Sequence, residues 1–118
     1  MKKEYRVKKT SEIEDILKKK VFRSNQYFSV YKLENTETSH FRYAMSVGKK
    51  IGNAVTRNRY KRLIAACVTN LNIKLDKNVD VFIIARPAVV GLGYNEIYKQ
   101  LEYLFKKQNL LIQGEKND

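Results

Sequence analysis

The run Val79-Asp80-Val81-Phe82-Ile83-Ile84-Ala85 constrains the fold most. It is far shorter than a membrane span and has the usual length of a strand. A segment this nearly continuous in apolar side chains has no solvated face, so it is expected to be an interior strand buried on both faces. Arg86-Pro87 ends it, because proline fixes its own φ, donates no ladder hydrogen bond and restricts the residue before it. Pro87 is the only proline in 118 residues, and no repeat or linker interrupts the chain. That length suits one domain, and a modest core can form without cross-links. A single domain over residues 1–113 is expected, followed by a short polar tail, residues 114–118.

The other elements follow from periodicity. Ser11 to Lys20 reads as a helix, with Ser11 and Glu14 in capping-box spacing and Ile13, Ile16 and Leu17 on one face. Tyr27 to Leu33 alternates and is rich in β-formers. After a polar turn at Asn35–Ser39, Phe41 to Val47 reads as a second strand, expected to form a hairpin with the first. Val21 to Arg23 carries a weaker strand pattern. Gly52-Asn53 opens a long helix whose apolar face is Tyr60, Leu63, Ile64, Cys67, Val68 and Leu71. Asn95 is expected to cap a last helix that turns Ile97, Tyr98, Leu101, Leu104 and Phe105 inward. The expected class is therefore α+β, a two-layer sandwich of helices against one sheet in the order helix, strands, helix, strand, helix.

Charge narrows the function. There are 24 Lys and Arg against 12 Asp and Glu, a formal +12. Such an excess repels itself, and a polyanionic partner is the simplest compensation. The charge is also segregated: Thr38 to Leu75 contains no Asp or Glu, yet holds eight Lys and Arg. A block of one sign without interleaved acids is an electrostatic footprint for nucleic acid rather than a salt-bridged surface. At 100° per residue, Arg57, Asn58, Lys61 and Arg62 are expected to point away from the apolar face of the long helix, with Arg59 at the edge. Like charges four apart weaken an isolated helix by about 0.2–0.5 kcal/mol per pair, and a docked phosphate backbone reverses that sign. Arginine adds a planar fork that fits phosphate or guanine edges.

Other chemistries find no support. Gly48-Lys49-Lys50-Ile51-Gly52 lacks phosphate-loop spacing and no Lys-Ser or Lys-Thr pair opens the helix. His40, the one histidine, has no Cys or acid cluster beside it. Cys67, the one cysteine, sits on the apolar helix face, where it is expected to pack. A lone thiol forms no internal disulfide and is compatible with a reducing compartment. The charged N-terminus has no apolar stretch behind it, so no signal peptide is expected and the default location is cytoplasmic. Neither a membrane nor DNA is expected as a partner.

The run Ser46-Val47-Gly48-Lys49-Lys50-Ile51-Gly52-Asn53-Ala54-Val55-Thr56-Arg57-Asn58-Arg59-Tyr60-Lys61-Arg62-Leu63-Ile64 closely resembles the signature of the bacterial ribonuclease P protein component family. Lys8-Lys9, Phe28 to Tyr31 and Ile83-Ile84-Ala85-Arg86-Pro87 are similar to further family segments. The resemblance implies an α-β-β-β-α-β-α fold with a left-handed βαβ crossover through the basic helix, where general rules favour a right-handed one. It implies that Lys49, Lys50, Asn53, Arg57, Asn58, Arg59, Lys61 and Arg62 bind the catalytic RNA subunit of ribonuclease P. It further implies that a cleft between the first helix and the sheet, including Ile13, Leu17, Tyr31, Arg42 and Ser46, holds the single-stranded 5′ leader of precursor tRNA. A flat ring such as Tyr31 can stack an unpaired base. Strand alternation turns Phe28 to the opposite face, so it is expected in the core. In this picture Mg2+ bound mainly through RNA supports hydrolysis, and the chain supplies no catalytic residue.

The chain departs from the family pattern where aromatics are usual, at Ile13 and Leu17. It also departs where glycine is usual, at Lys20 and Ala44, and where arginine is usual, at Ala65. The competing reading is a ribosomal or general single-strand RNA-binding protein. No RRM aromatic signature or KH loop supports it.

Overall fold

A computed structural model describes residues 1–35 and 37–112. Residue 113 and the expected tail at 114–118 lie outside the described residues, as does Thr36 in the expected turn. The elements are α1 (Thr10–Lys19), β1 (Phe22–Ser24), β2 (Phe28–Glu34), β3 (Arg42–Ser46), α2 (Ala54–Asn70), β4 (Val79–Ala85) and α3 (Tyr94–Lys107). This is the expected α+β class and element order.

The sheet order is β1-β2-β4-β3. The apolar run, β4, thus takes an interior place, antiparallel to β2 and parallel to β3. The expected β2–β3 hairpin does not form, because β4 lies between them. The connection instead crosses the approach to β4, where Asn35 N–H donates to Asn78 O and Phe41 N–H to Leu75 O, each at 2.9 Å. The most apolar strand has the greatest need for two neighbours and two covered faces, and it displaces the local pairing. The parallel β3–α2–β4 unit is the crossover for which the resemblance implies a left hand.

Both faces of β4 are covered, which adds a layer to the expected sandwich. Val79, Val81, Ile83 and Ala85 join Phe28, Val30 and Tyr43 against α2 and α3 in the main core. Phe82 and Ala44 face the other way, with Ile16 and Val7, and Ile13, Leu17, Tyr31, Leu33 and Ile84 pack around them. α1 is therefore a third layer, lying across β2 and β4. Its stripe of Ile13, Ile16 and Leu17 is the apolar cover that Phe82 and Ile84 need.

Two helix starts differ from expectation. α1 begins one residue earlier, with Lys9 at the N-cap and no side-chain cap, so Ser11 is already inside the helix. α3 begins at Tyr94 after Gly93, and the Glu96 carboxylate accepts from Gly93 N–H at 3.2 Å. Asn95 is thus the second helical residue; the acid three positions after the cap supplies the reach-back bond. α1 ends in Lys20 at φ 56°, ψ 31°, the left-handed conformation that favours glycine, where the family pattern has it.

Candidate nucleic-acid interface

The strand-to-helix junction is built around Ile51, which is buried and anchors a 3-10 turn over Lys49–Ile51. Lys49 and Lys50 on that turn are exposed. Gly52 has φ 151°, and a Cβ there would lie 3.1 Å from the Thr56 side chain, so glycine is required. Gly48, at φ −82° with open space around it, is not under that constraint. Asn53 is the N-cap of α2: its Oδ1 accepts from Thr56 N–H at 3.0 Å. That is a structural duty in addition to the expected contact with RNA.

Along α2, Asn58, Arg59, Lys61 and Arg62 are exposed. No salt bridge among the described residues involves any cation of α2 or the Lys49–Ile51 turn. Arg57 differs from expectation. It is half-buried, and its Nε is buried without a hydrogen-bond partner among the described residues. Arg57 lies beside the core column of α2, three residues before Tyr60 and seven before Ile64, both buried. Its stem packs beside the core while the other three cations project freely. Tyr60, Ile64, Cys67 and Val68 are buried as expected, and Leu63 is half-buried.

A second region lies on the α1 face. In register across the sheet, Phe22, Tyr31, Phe82 and Ala44 form one row, and Ser24, Ser29, Ile84 and Ser46 form the next. A third row is Leu33, Asp80 and Arg42. Ile13 and Leu17 of α1 pack over the same face. The fold thus brings Ile13, Leu17, Tyr31, Arg42 and Ser46 to one side of the sheet, from three separate elements. Tyr31 is half-buried and stacks on Phe22, ring centroids 4.7 Å apart at 25°. Phe22 is 44% exposed. Only the weak strand pattern around Phe22 hinted at this partner. Phe28 is fully buried in the main core, as alternation requires.

Arg42 is committed elsewhere. Its Nε donates to Asp80 Oδ1 at 2.9 Å, and its Nη2 donates to Asp80 Oδ2 at 2.7 Å and to Glu12 Oε2 at 2.8 Å. Asn35 Nδ2 adds a 2.8 Å bond to Asp80 Oδ2. Asp80 is 1% exposed. Its hydrogen bonds, with those of Glu12, raise the Arg42 pKa above the ordinary guanidinium value against the opposing pull of burial. The cluster ties α1 to β3 and β4, and the expected contact role of Arg42 becomes one of holding α1 in place. The signal in the sequence was Asp80 itself, the one charge in an otherwise apolar strand.

The remaining reactive groups are structural. Burial pushes the Cys67 thiol up to about 11, and its Sγ lies 3.7 Å from Tyr94 O. His40 Nδ1 lies 2.8 Å from the Phe41 carbonyl oxygen, and its ring meets Tyr5 edge-on. Among the described residues no group of three or more His, Cys, Asp or Glu could hold a metal ion. No helix among them is long and apolar enough to cross a membrane.

The fold and these surfaces define a basic α+β protein of the kind that docks on RNA. A family model described as Ribonuclease P matches residues 1–109. The ribonuclease P protein component of Bacillus cereus is 41% identical over 110 residues, covering 93% of this chain and 96% of that protein. A solved structure of the Staphylococcus aureus RNase P protein superposes with a TM-score of 0.81 at 35% identity, covering 92% of this chain and 98% of that one. The Thermotoga maritima RNase P protein, at 23% identity, shares the fold with a TM-score of 0.76 over 92% of this chain and 98% of that one. The chain belongs to the ribonuclease P protein component family, and its function is that of a subunit of this tRNA-processing ribonucleoprotein.

Proposed function

We propose that the chain docks on the catalytic RNA of ribonuclease P through the α2 side and receives the 5′ leader of precursor tRNA on the α1 side. On the α2 side the contacts are Lys49, Lys50, Asn53, Arg57, Asn58, Arg59, Lys61 and Arg62. On the α1 side they are Tyr31, Ser46, Ile13 and Leu17, with Arg42 holding α1 over the sheet. The carrying observation is that the exposed cations of α2 and the preceding turn have no carboxylate partner among the described residues. Unpaired cations on a rigid helix are ready for phosphate, and neutralising phosphates releases counterions and drives binding.

The donor set does not fit Mg2+. The carboxylates of Glu12 and Asp80 already accept from Arg42, and no group of three or more His, Cys, Asp or Glu among the described residues is placed to hold a metal ion. We propose that magnesium in the assembly is held mainly by RNA, with this chain lowering the repulsion between RNA strands and positioning substrate. Endonucleolytic cleavage is then a property of the ribonucleoprotein, carried out in the cytoplasm with RNA partners only.

The test is reconstitution at low magnesium. Protein, catalytic RNA and precursor tRNA together should release mature tRNA, catalytic RNA alone should do so far less, and protein alone should leave the substrate intact. Cleavage by RNA-free protein, abolished by changing one side chain, would overturn the assignment.

A further inference from the structure

The Tyr31–Phe22 stack on the α1 face borders a second groove around the edge of the sheet, which Phe22 also lines. Strand β1 forms that edge, and its alternation sends neighbouring side chains to opposite faces. Phe22 pairs with Tyr31 on the α1 face, while Arg23 pairs with Val30 on the α3 face. Four hollows follow one another around this edge, each sharing lining residues with the next. The first, at the foot of α1, shares Val21 and Lys32 with the second, which also includes Phe22. The second shares Arg23 and Lys107 with the third, and the third shares Tyr103 with the fourth, on the outer side of α3.

The lining has the chemistry of a single-strand path. Seven Lys and Arg side chains line the hollows, against two carboxylates, Glu34 and Glu102. Tyr103 is 55% exposed, with the Lys107 ammonium 5.4 Å from its ring centroid. An exposed ring flanked by cations stacks a base while neighbouring phosphates are neutralised. A duplex does not need the rings, and an apolar protein partner does not need the lysines.

We infer that single-stranded RNA leaving the α1 cleft crosses the β1 edge and continues along α3 over Arg23, Tyr103 and Lys107. This rests on the proposed leader cleft and extends it: the track takes leader nucleotides beyond those that reach Tyr31. The groups it uses are exposed and lie outside both buried cores, so substituting them leaves the fold intact.

The experiment measures affinity of the reconstituted ribonucleoprotein for two precursor tRNAs. One has a leader just long enough to reach Tyr31, and the other is several nucleotides longer. The wild-type complex should bind the longer leader more tightly. Arg23→Glu with Lys107→Glu, and separately Tyr103→Ala, should lose about tenfold on the long leader only, the effect of one stacked base or its flanking charges. Tyr31→Ala should weaken both. If Tyr31→Ala weakens both but the α3 variants bind both leaders like wild type, the track is wrong and the cleft reading stands. If Tyr31→Ala changes neither, the cleft reading falls and the track with it. Equal losses by the α3 variants on both leaders also overturn the track.

Discussion

The two basic regions of this molecule are made differently. The α2 side presents Arg59, Lys61 and Arg62 on a regular helix, within a stretch that has no acid from Thr38 to Leu75 and no exposed ring on the same face. The α1 and β1 side sets acids against some of its cations, Glu12 on Arg42 and Glu34 beside Lys32, but exposes Phe22 and half-exposes Tyr31 on a strand edge. Fixed cations without rings complement the phosphate surface of a folded RNA, whose bases are already stacked. Rings beside cations suit unpaired bases, which still have π-faces to cover. In the proposed reading, one protein separates the tasks of attachment and substrate capture onto opposite sides of its sheet.

The largest effect expected is on the element that maintains this separation. Arg42 is the bridge from β3 and β4 to α1, and Asp80 is almost wholly buried beneath it. Arg42→Ala leaves that carboxylate with only the Asn35 amide among the side chains that bond it. Breaking one side of a buried ion pair typically destabilises by about 3–5 kcal/mol. The thermal midpoint should fall by about 10 °C or more. Asp80→Ala made in the same chain should recover part of that stability, since the uncompensated charge is then gone. A midpoint unchanged in Arg42→Ala would mean that the clamp does not hold α1.

A smaller change in stability and a large one in binding are expected on the other side. Replacing Arg57, Arg59 and Arg62 by Ala should weaken affinity for the catalytic RNA about a hundredfold, if each arginine contributes of order 1 kcal/mol or more. The dependence of log K on log salt should become shallower by about 0.7–0.9 for each phosphate that is no longer neutralised. Stability should change little, since Arg59 and Arg62 are exposed and surface substitutions usually fall within about 0.5 kcal/mol. Arg57→Ala removes packing of the stem together with an unpartnered buried Nε, two effects of opposite sign. A triple variant that melts much earlier yet binds normally once folded would make these residues structural and erase the contrast between the two sides.

Local rules read the elements well and their assembly poorly. The apolar run, the start of α2 at Gly52-Asn53 and the inward face of α3 were all visible, because each depends on residues a few positions apart. The hairpin failed because pairing of β2 and β3 competes with the demand of β4 for two neighbours, which is a long-range effect. The cap of α1 failed because the helix already starts at Thr10, which leaves Ser11 inside its first turn. On the site, the exposed cations of α2 were legible from charge alone. The half-burial of Arg57 was not legible, because the seven-residue count that sets it before Ile64 also sets the exposed Lys61 before the buried Val68. The partners of Arg42 and Tyr31 were not legible: Glu12, Asp80 and Phe22 reach them only through strand order and register.

Asn53 provides the finest test of the comparison, because it serves both the fold and the attachment side. Its Oδ1 caps α2 through Thr56 N–H, satisfying one of the helix's free donors. Asn53→Ala should destabilise the free protein by about 1 kcal/mol, the usual effect of removing such a cap. Asn53→Ser keeps an oxygen that can accept from Thr56 N–H but removes the amide, so it should keep most of that stability. The two variants therefore separate capping from RNA recognition. If the amide donates to RNA, Asn53→Ser should weaken affinity for the catalytic RNA several-fold while melting near wild type. If its affinity is unchanged and only Asn53→Ala binds less well, Asn53 acts by fixing the start of α2 and the aim of its basic face. Chemical denaturation and RNA titration on the same two preparations decide between them.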